Sequence, residues 1–122
     1  MLKWIVAAGL VMALPAVASA QDADAGKSVF NKCRACHDIG PNAKNKVGPH
    51  LNDIFGRKAG SVEGFNYSDA MKNSGIVWDE ASIDAYVADP KGKIPGNKMV
   101  FVGIKDEADR KNLIAYMKSA SK

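Results

Sequence analysis

Two cysteines in 122 residues are too few to build the disulfide framework of a small secreted fold. Outside the N-terminus the chain has no apolar run of about 18 residues, which excludes a polytopic membrane protein. The positive excess is only +4, too mild to point to nucleic acid. Internal repeats, low-complexity stretches and credible pairs of alternating strands are also missing. What remains is ordinary for one globular domain, with 25% charged and 7% aromatic residues. A chain this short buries only about 60–70% of its unfolded surface, so a group that adds apolar volume would help it fold.

Residues 1–20 read as a cleaved secretory signal peptide. Lys3 supplies the positive start, Trp4 to Val17 the apolar stretch, and Ala18-Ser19-Ala20 a small-x-small cleavage site. The apolar stretch is short for a membrane anchor. Cleavage would leave residues 21–122 as the domain and, with Lys3 gone, a charge of +3. Both cysteines would then meet an oxidising compartment.

Along the rest, a first helix is expected over Asp24–Lys32, capped by Asp22 or Asp24. Ile39–Pro49 is a loop by its Gly, Pro and Asn content, and Arg57–Tyr67 is Gly-rich and irregular. A short helix over Ser68–Ser74 ends at Gly75. A third helix opens at Asp79 or Glu80, runs through Val87 and stops before Pro90. Lys91–Lys98 reads as another loop, and Asp106–Ser119 is the strongest helix, acidic in its first turn and with Lys118 in its last. The expected class is all-α, three to five helices with long loops. Those loops carry Leu51, Ile54, Phe55, Phe65, Tyr67, Ile94, Met99 and Phe101, so they must cover something apolar.

Cys33-Arg34-Ala35-Cys36-His37 is C-x-x-C-H, the attachment signature of c-type haem. Two thiols about one turn apart can each add to a vinyl group of one porphyrin, and the adjacent His37 can then ligate the iron. A thioredoxin-like pair would need a strand before it, and none is expected. A structural zinc site needs four ligands, and the only other histidine is His50. A second axial ligand would come from Met71, Met99, Met117 or His50. Met117 falls on the apolar face of the last helix, Met71 in a small polar helix, and His50 in a loop. Met99 follows the Pro95-Gly96 turn, far enough along the chain to close the other side of the ring, and it is the favoured ligand. Thioether sulfur favours ferrous iron.

With those ligands placed, the sequence resembles a class I cytochrome c, a short mitochondrial-type bacterial member, from about Ala25 to Ser119. The resemblance is carried by Gly26-Lys27-Ser28-Val29-Phe30, the haem motif, Gly48-Pro49-His50-Leu51 and Phe55-Gly56-Arg57-Lys58. It continues through Gly64 to Ala70, Trp78, Pro90-Lys91, Ile94 to Phe101 and Leu113 to Met117. It implies loops wrapped around one covalent haem, with the first and last helices crossing where Gly26 and Phe30 meet Leu113 and Tyr116. It further implies that the Pro49 carbonyl accepts a hydrogen bond from His37, and that Arg57, Tyr67 and Trp78 hold a haem propionate. Tyr86 would donate to the Met99 sulfur, and Phe101 would pack beside the exposed haem edge.

Three positions depart from the family pattern. Met71 stands where relatives often have Asn, Asn97 where they often have a hydroxyl residue, and Asn45 where many have a histidine. The resemblance implies a one-electron carrier, not an enzyme, periplasmic and monomeric, with no nucleic-acid partner. Lys27, Lys32, Lys46, Lys91, Lys98 and Lys105 would ring the haem edge. They would steer it to acidic sites on membrane-bound oxidase, reductase or reaction-centre complexes.

Overall fold

The computed structural model describes residues 22–121, together with Gly9. The expected signal segment, 1–20, otherwise lies outside the described residues. Helix α1 (Ala23–Phe30) starts where the Asp22 carboxylate accepts the Asp24 and Ala25 N–H groups, at 2.9 and 3.3 Å. It ends two residues before the expected Lys32. The chain then continues in hydrogen-bonded turns through Cys36: Cys33 and Arg34 both donate to the Phe30 carbonyl, at 2.8 and 3.0 Å.

Helix α2 (Asp69–Lys72) is shorter than expected, capped by Ser68, whose hydroxyl accepts the Met71 N–H at 3.1 Å. Helix α3 (Glu80–Ala88) opens with a reciprocal cap. Asp79 accepts the Ser82 N–H at 2.7 Å, and the Ser82 hydroxyl accepts the Asp79 N–H at 2.8 Å.

Pro90 ends α3 as expected, because Asp89 before it is held out of the helical region. The loop expected over Lys91–Lys98 is only partly a loop. Pro90 also starts a one-turn helix, α4 (Pro90–Lys93), where its missing N–H costs nothing at the first position. Asp89 caps it by accepting the Gly92 N–H at 3.1 Å. Helix α5 (Glu107–Ala120) matches the strongest expected helix, with Asp106 as cap accepting the Asp109 N–H at 3.1 Å.

Among the described residues the class is all-α, with no strand beyond an isolated antiparallel bridge between Lys58 and Val77. Helices α1 and α5 cross face to face. Phe30 and Leu113 are fully buried there, and the Phe30 and Tyr116 rings lie 5.3 Å apart. Gly26 is what lets the two backbones meet: a Cβ on it would overlap the Asn112 carbonyl and the Tyr116 Cβ. Arg110 ties α5 to α3 through Asp84, Nε to Oδ1 at 2.8 Å, and donates to the Ile104 and Lys105 carbonyls at 3.0 Å. The bridge at Lys58 lets Gly56 donate to the Trp78 carbonyl and Trp78 to the Arg57 carbonyl, at 2.7 and 2.9 Å. Trp78 is thereby carried into the core, against Tyr86.

Candidate functional site

The turns after α1 place Cys33, Cys36 and His37 on the wall of one apolar cavity of about 300 Å³. His37 N–H donates to the Cys33 carbonyl at 2.8 Å, which closes the motif on itself. The Ile39–Pro49 loop then folds back, with Gly48 N–H on the Cys36 carbonyl at 2.7 Å. Gly48 lies flat against the imidazole, and a Cβ there would collide with the ring. The neighbouring Pro49 carbonyl accepts from His37 Nδ1 at 2.8 Å, as the resemblance implied. A carbonyl can only accept, so the proton is on Nδ1 and Nε2 keeps its lone pair. Burial holds the His37 pKa below its usual value. The Pro49 bond opposes that, and the charges of Arg57 and Lys46 add to it. The neutral ring is the form that ligates iron.

Burial pushes the Cys33 thiol up to about 11, helped by Cys36 and opposed by Lys32. Cys33 and Cys36 are not joined to each other in a disulfide. Met99 lines the same cavity and takes the Tyr86 hydroxyl, oxygen to sulfur 3.6 Å. Burial raises the Tyr86 pKa to about 12, so the hydroxyl keeps its proton and remains a donor. Arg57, Tyr67 and Trp78 line the cavity too. Arg57 is fixed by the His50 and Asn52 carbonyls, which accept from Nη1 at 3.0 and 2.9 Å. Burial lowers its pKa, offset by Tyr67 and Asp53. The Tyr67 oxygen accepts the Val62 N–H at 3.1 Å, leaving its own proton to give. Leu51, Ile54, Ile83, Leu113 and Met117 supply apolar wall, and half-buried Phe101 completes it.

All ten residues expected to hold the cofactor therefore line one cavity, and so does Met71, which leaves that part of the wall apolar. His50 does not line it; its ring Nδ1 is buried without a partner, while its backbone bonds to Asn45 and Arg57. The six lysines divide. Lys32 and Lys98 stand at the cavity mouth beside exposed Val47 and Val100. Lys46, Lys91 and Lys105 instead donate to the carbonyls of Arg34, Asn97 and Ala88. Lys27 lies on α1, exposed.

Two contacts escape a reading of residue types. Asn45 joins two loops, its Oδ1 accepting the His50 N–H at 3.0 Å and its Nδ2 donating to the Glu63 carbonyl at 3.2 Å. Asn97 is buried with three side-chain hydrogen bonds. A lone asparagine in a loop signals a turn, and nothing in the sequence marks either as a bridge.

The arrangement suits a flat apolar group carrying a metal: two cysteine sulfurs and an imidazole from one segment, a thioether from another, and the polar groups of Arg57 and Tyr67 on the same wall. The family profile described as cytochrome c matches residues 23–121. Cytochrome c2 of Blastochloris viridis is 55% identical over 118 residues, 97% of this chain and 93% of that protein. Cytochrome c-550 of Nitrobacter winogradskyi is 55% identical over 101 residues, 83% of this chain and 93% of that protein. The solved structure of cytochrome cH from Methylobacterium extorquens superposes with a TM-score of 0.75 at 47% identity, over 80% of this chain and 98% of that one. Fold, cavity and relatives agree: the chain belongs to the cytochrome c family, with a covalent c-type haem as its cofactor.

Proposed function

We propose that this chain is an exported, monomeric one-electron carrier with no substrate of its own. The observation that carries the reading is that His37 and Met99, with Cys33 and Cys36 beside the first, line one apolar cavity. Seated there, a c-type haem supplies a one-electron Fe(III)/Fe(II) couple. Cys33 and Cys36 would tether it through thioether bonds. His37 would present Nε2, oriented by the Pro49 carbonyl on its other nitrogen. Met99 would present its sulfur, on which the Tyr86 hydroxyl also draws. Arg57, Tyr67 and Trp78 would hold a propionate. With His37 and Met99 both given to the iron, the protein would leave no position for a reacting molecule, which favours a carrier over a haem enzyme or gas sensor. The same two protein donors would serve both oxidation states, with His37 oriented by the Pro49 carbonyl throughout.

The electron would leave at the cavity mouth, beside Phe101. Val100 and Val47, 97% and 77% exposed, give that mouth a dry centre, and Lys32 and Lys98 border it. Together with Lys27, Lys46, Lys91 and Lys105 they suit acidic partners: membrane-bound oxidases, reductases or reaction-centre complexes. Residues 1–20 would direct export to the periplasm and be removed, leaving 21–122. None of the described helices is long and apolar enough to cross a membrane.

The test is Met99→Ala, purified with its haem. The mass still shows covalent haem and no free thiol, the methionine–iron charge-transfer band is lost, and carbon monoxide binds readily. A variant that keeps the band and the native potential removes Met99 as ligand.

A further inference from the structure

We infer that Asn97 is the positioning residue for Met99 and sets how firmly the thioether is held at the iron. The inference rests on Met99 being the ligand. Asn97 is 4% exposed and lies two residues before Met99. Its Nδ2 donates to the Pro90 and Ile94 carbonyls, both at 2.8 Å, and its Oδ1 accepts the Met99 N–H at 2.8 Å. One side chain thus bridges both ends of α4 to the backbone of Met99. The Lys91 ammonium closes the outside by donating to the Asn97 carbonyl.

The segment that follows makes this bridge decisive. Among the described residues, the backbone of Lys98 to Gly103 makes one hydrogen bond, and it is the one from Met99 to Asn97. The next anchor is Ile104, whose N–H donates to the Val87 carbonyl at 2.8 Å. Val100 and Val102 are 97% and 86% exposed, so beyond Met99 the strap packs only through half-buried Phe101 and through Gly103 against the Ala88 carbonyl. The residue type matters as well. Two donors and an acceptor on a short planar group serve three backbone partners at once, and a hydroxyl has only one proton to give. A serine drops at least one of the three bonds, while the Pro90 and Ile94 carbonyls keep the Ile94 and Asn97 N–H groups as donors.

The holoprotein tests this by titration of its ferric form with imidazole, which must displace the sixth ligand to bind. Asn97→Ser raises imidazole affinity about tenfold, the worth of one buried hydrogen bond. Asn97→Asp keeps the shape and the acceptor but loses both donors, and raises it as well. Ile94→Val, which loosens the same loop through packing, serves as the control at matched loss of unfolding stability. Imidazole affinity unchanged in a folded Asn97→Ser or Asn97→Asp protein overturns the inference. So does an equal rise in Ile94→Val, because general loosening would then explain it. Met99→Ala separates the two levels: a charge-transfer band surviving there rejects the ligand itself, whereas its loss alongside unaffected Asn97 variants rejects only the positioning role.

Discussion

The crossing of α1 with α5 and the loops around the cavity are held by different kinds of contact. At the crossing, apolar side chains interlock and a glycine lets two backbones touch: Phe30 and Leu113 are fully buried, and Gly26 faces the Asn112 carbonyl. Around the cavity, side-chain amides and ammonium groups reach backbone atoms. Asn45, Asn97, Arg57, Lys46 and Lys105 all bond to main-chain groups, most of them carbonyls. A helix satisfies its own backbone, so its side chains are free to pack. An irregular loop does not, and polar side chains must do it instead.

The contrast can be broken at each end. The largest effect belongs to the crossing. Gly26→Ala forces a methyl into the α5 backbone, which cannot yield as a side-chain tip would. Denaturant unfolding of the holoprotein is expected to show a loss of about 3 kcal/mol, with the methionine–iron band intact below the transition. A loss of the band at full stability would mean that the crossing and the ligand loop are one unit.

The second test falls on the loops. Asn45→Ala removes two bonds between the segment at His50 and that at Glu63, at an expected cost of about 1–2 kcal/mol. Hydrogen exchange should accelerate at the His50 amide while the α1 and α5 amides stay protected. Uniform acceleration would show the loops opening only with the whole molecule.

The smallest effect concerns pH. The Ser82 backbone and hydroxyl groups hold the Asp79 carboxyl below its usual range. A depressed carboxylate stabilises the fold above its unfolded pKa, and that contribution is lost as pH falls through the lower folded value. Asp79→Asn keeps a cap without a titrating group, so its stability should fall less on acidification. Equal acid limbs in the two proteins would show that the cap charge contributes nothing.

The helical part was legible because its signals are local. Asp22, Ser68, Asp79 and Asp106 each cap the helix they precede, and only ends moved, by a few residues. Pro90 was half legible: it stops one helix and starts another, and only the observed backbone of Asp89 separates the two roles. That Cys33, Cys36 and His37 share one cavity wall was legible from spacing, and that Met99 reaches the same cavity from its turn. Pro49, Arg57, Tyr67, Trp78, Tyr86 and Phe101 came from resemblance, since no periodicity ties together residues so far apart. The Lys58–Val77 bridge is a single pair, too short to leave an alternating pattern. Asn45 and Asn97 were noticed only as departures from relatives. What they hold is backbone, and backbone partners leave no trace in residue identity.

Three of the six lysines, Lys46, Lys91 and Lys105, rest their ammonium groups on carbonyl oxygens. A free lysine side chain carries about 2 kcal/mol of rotamer entropy, much of it surrendered when a partner pins it. These three have already surrendered part of that freedom on folding. In the docking proposed above, a negatively charged surface would meet some ammonium groups held on carbonyls and others, Lys32 and Lys98, without such an anchor. The held ones would define a constant field that orients an encounter at little further loss of disorder, and the others would be free to adapt to the carboxylates that arrive.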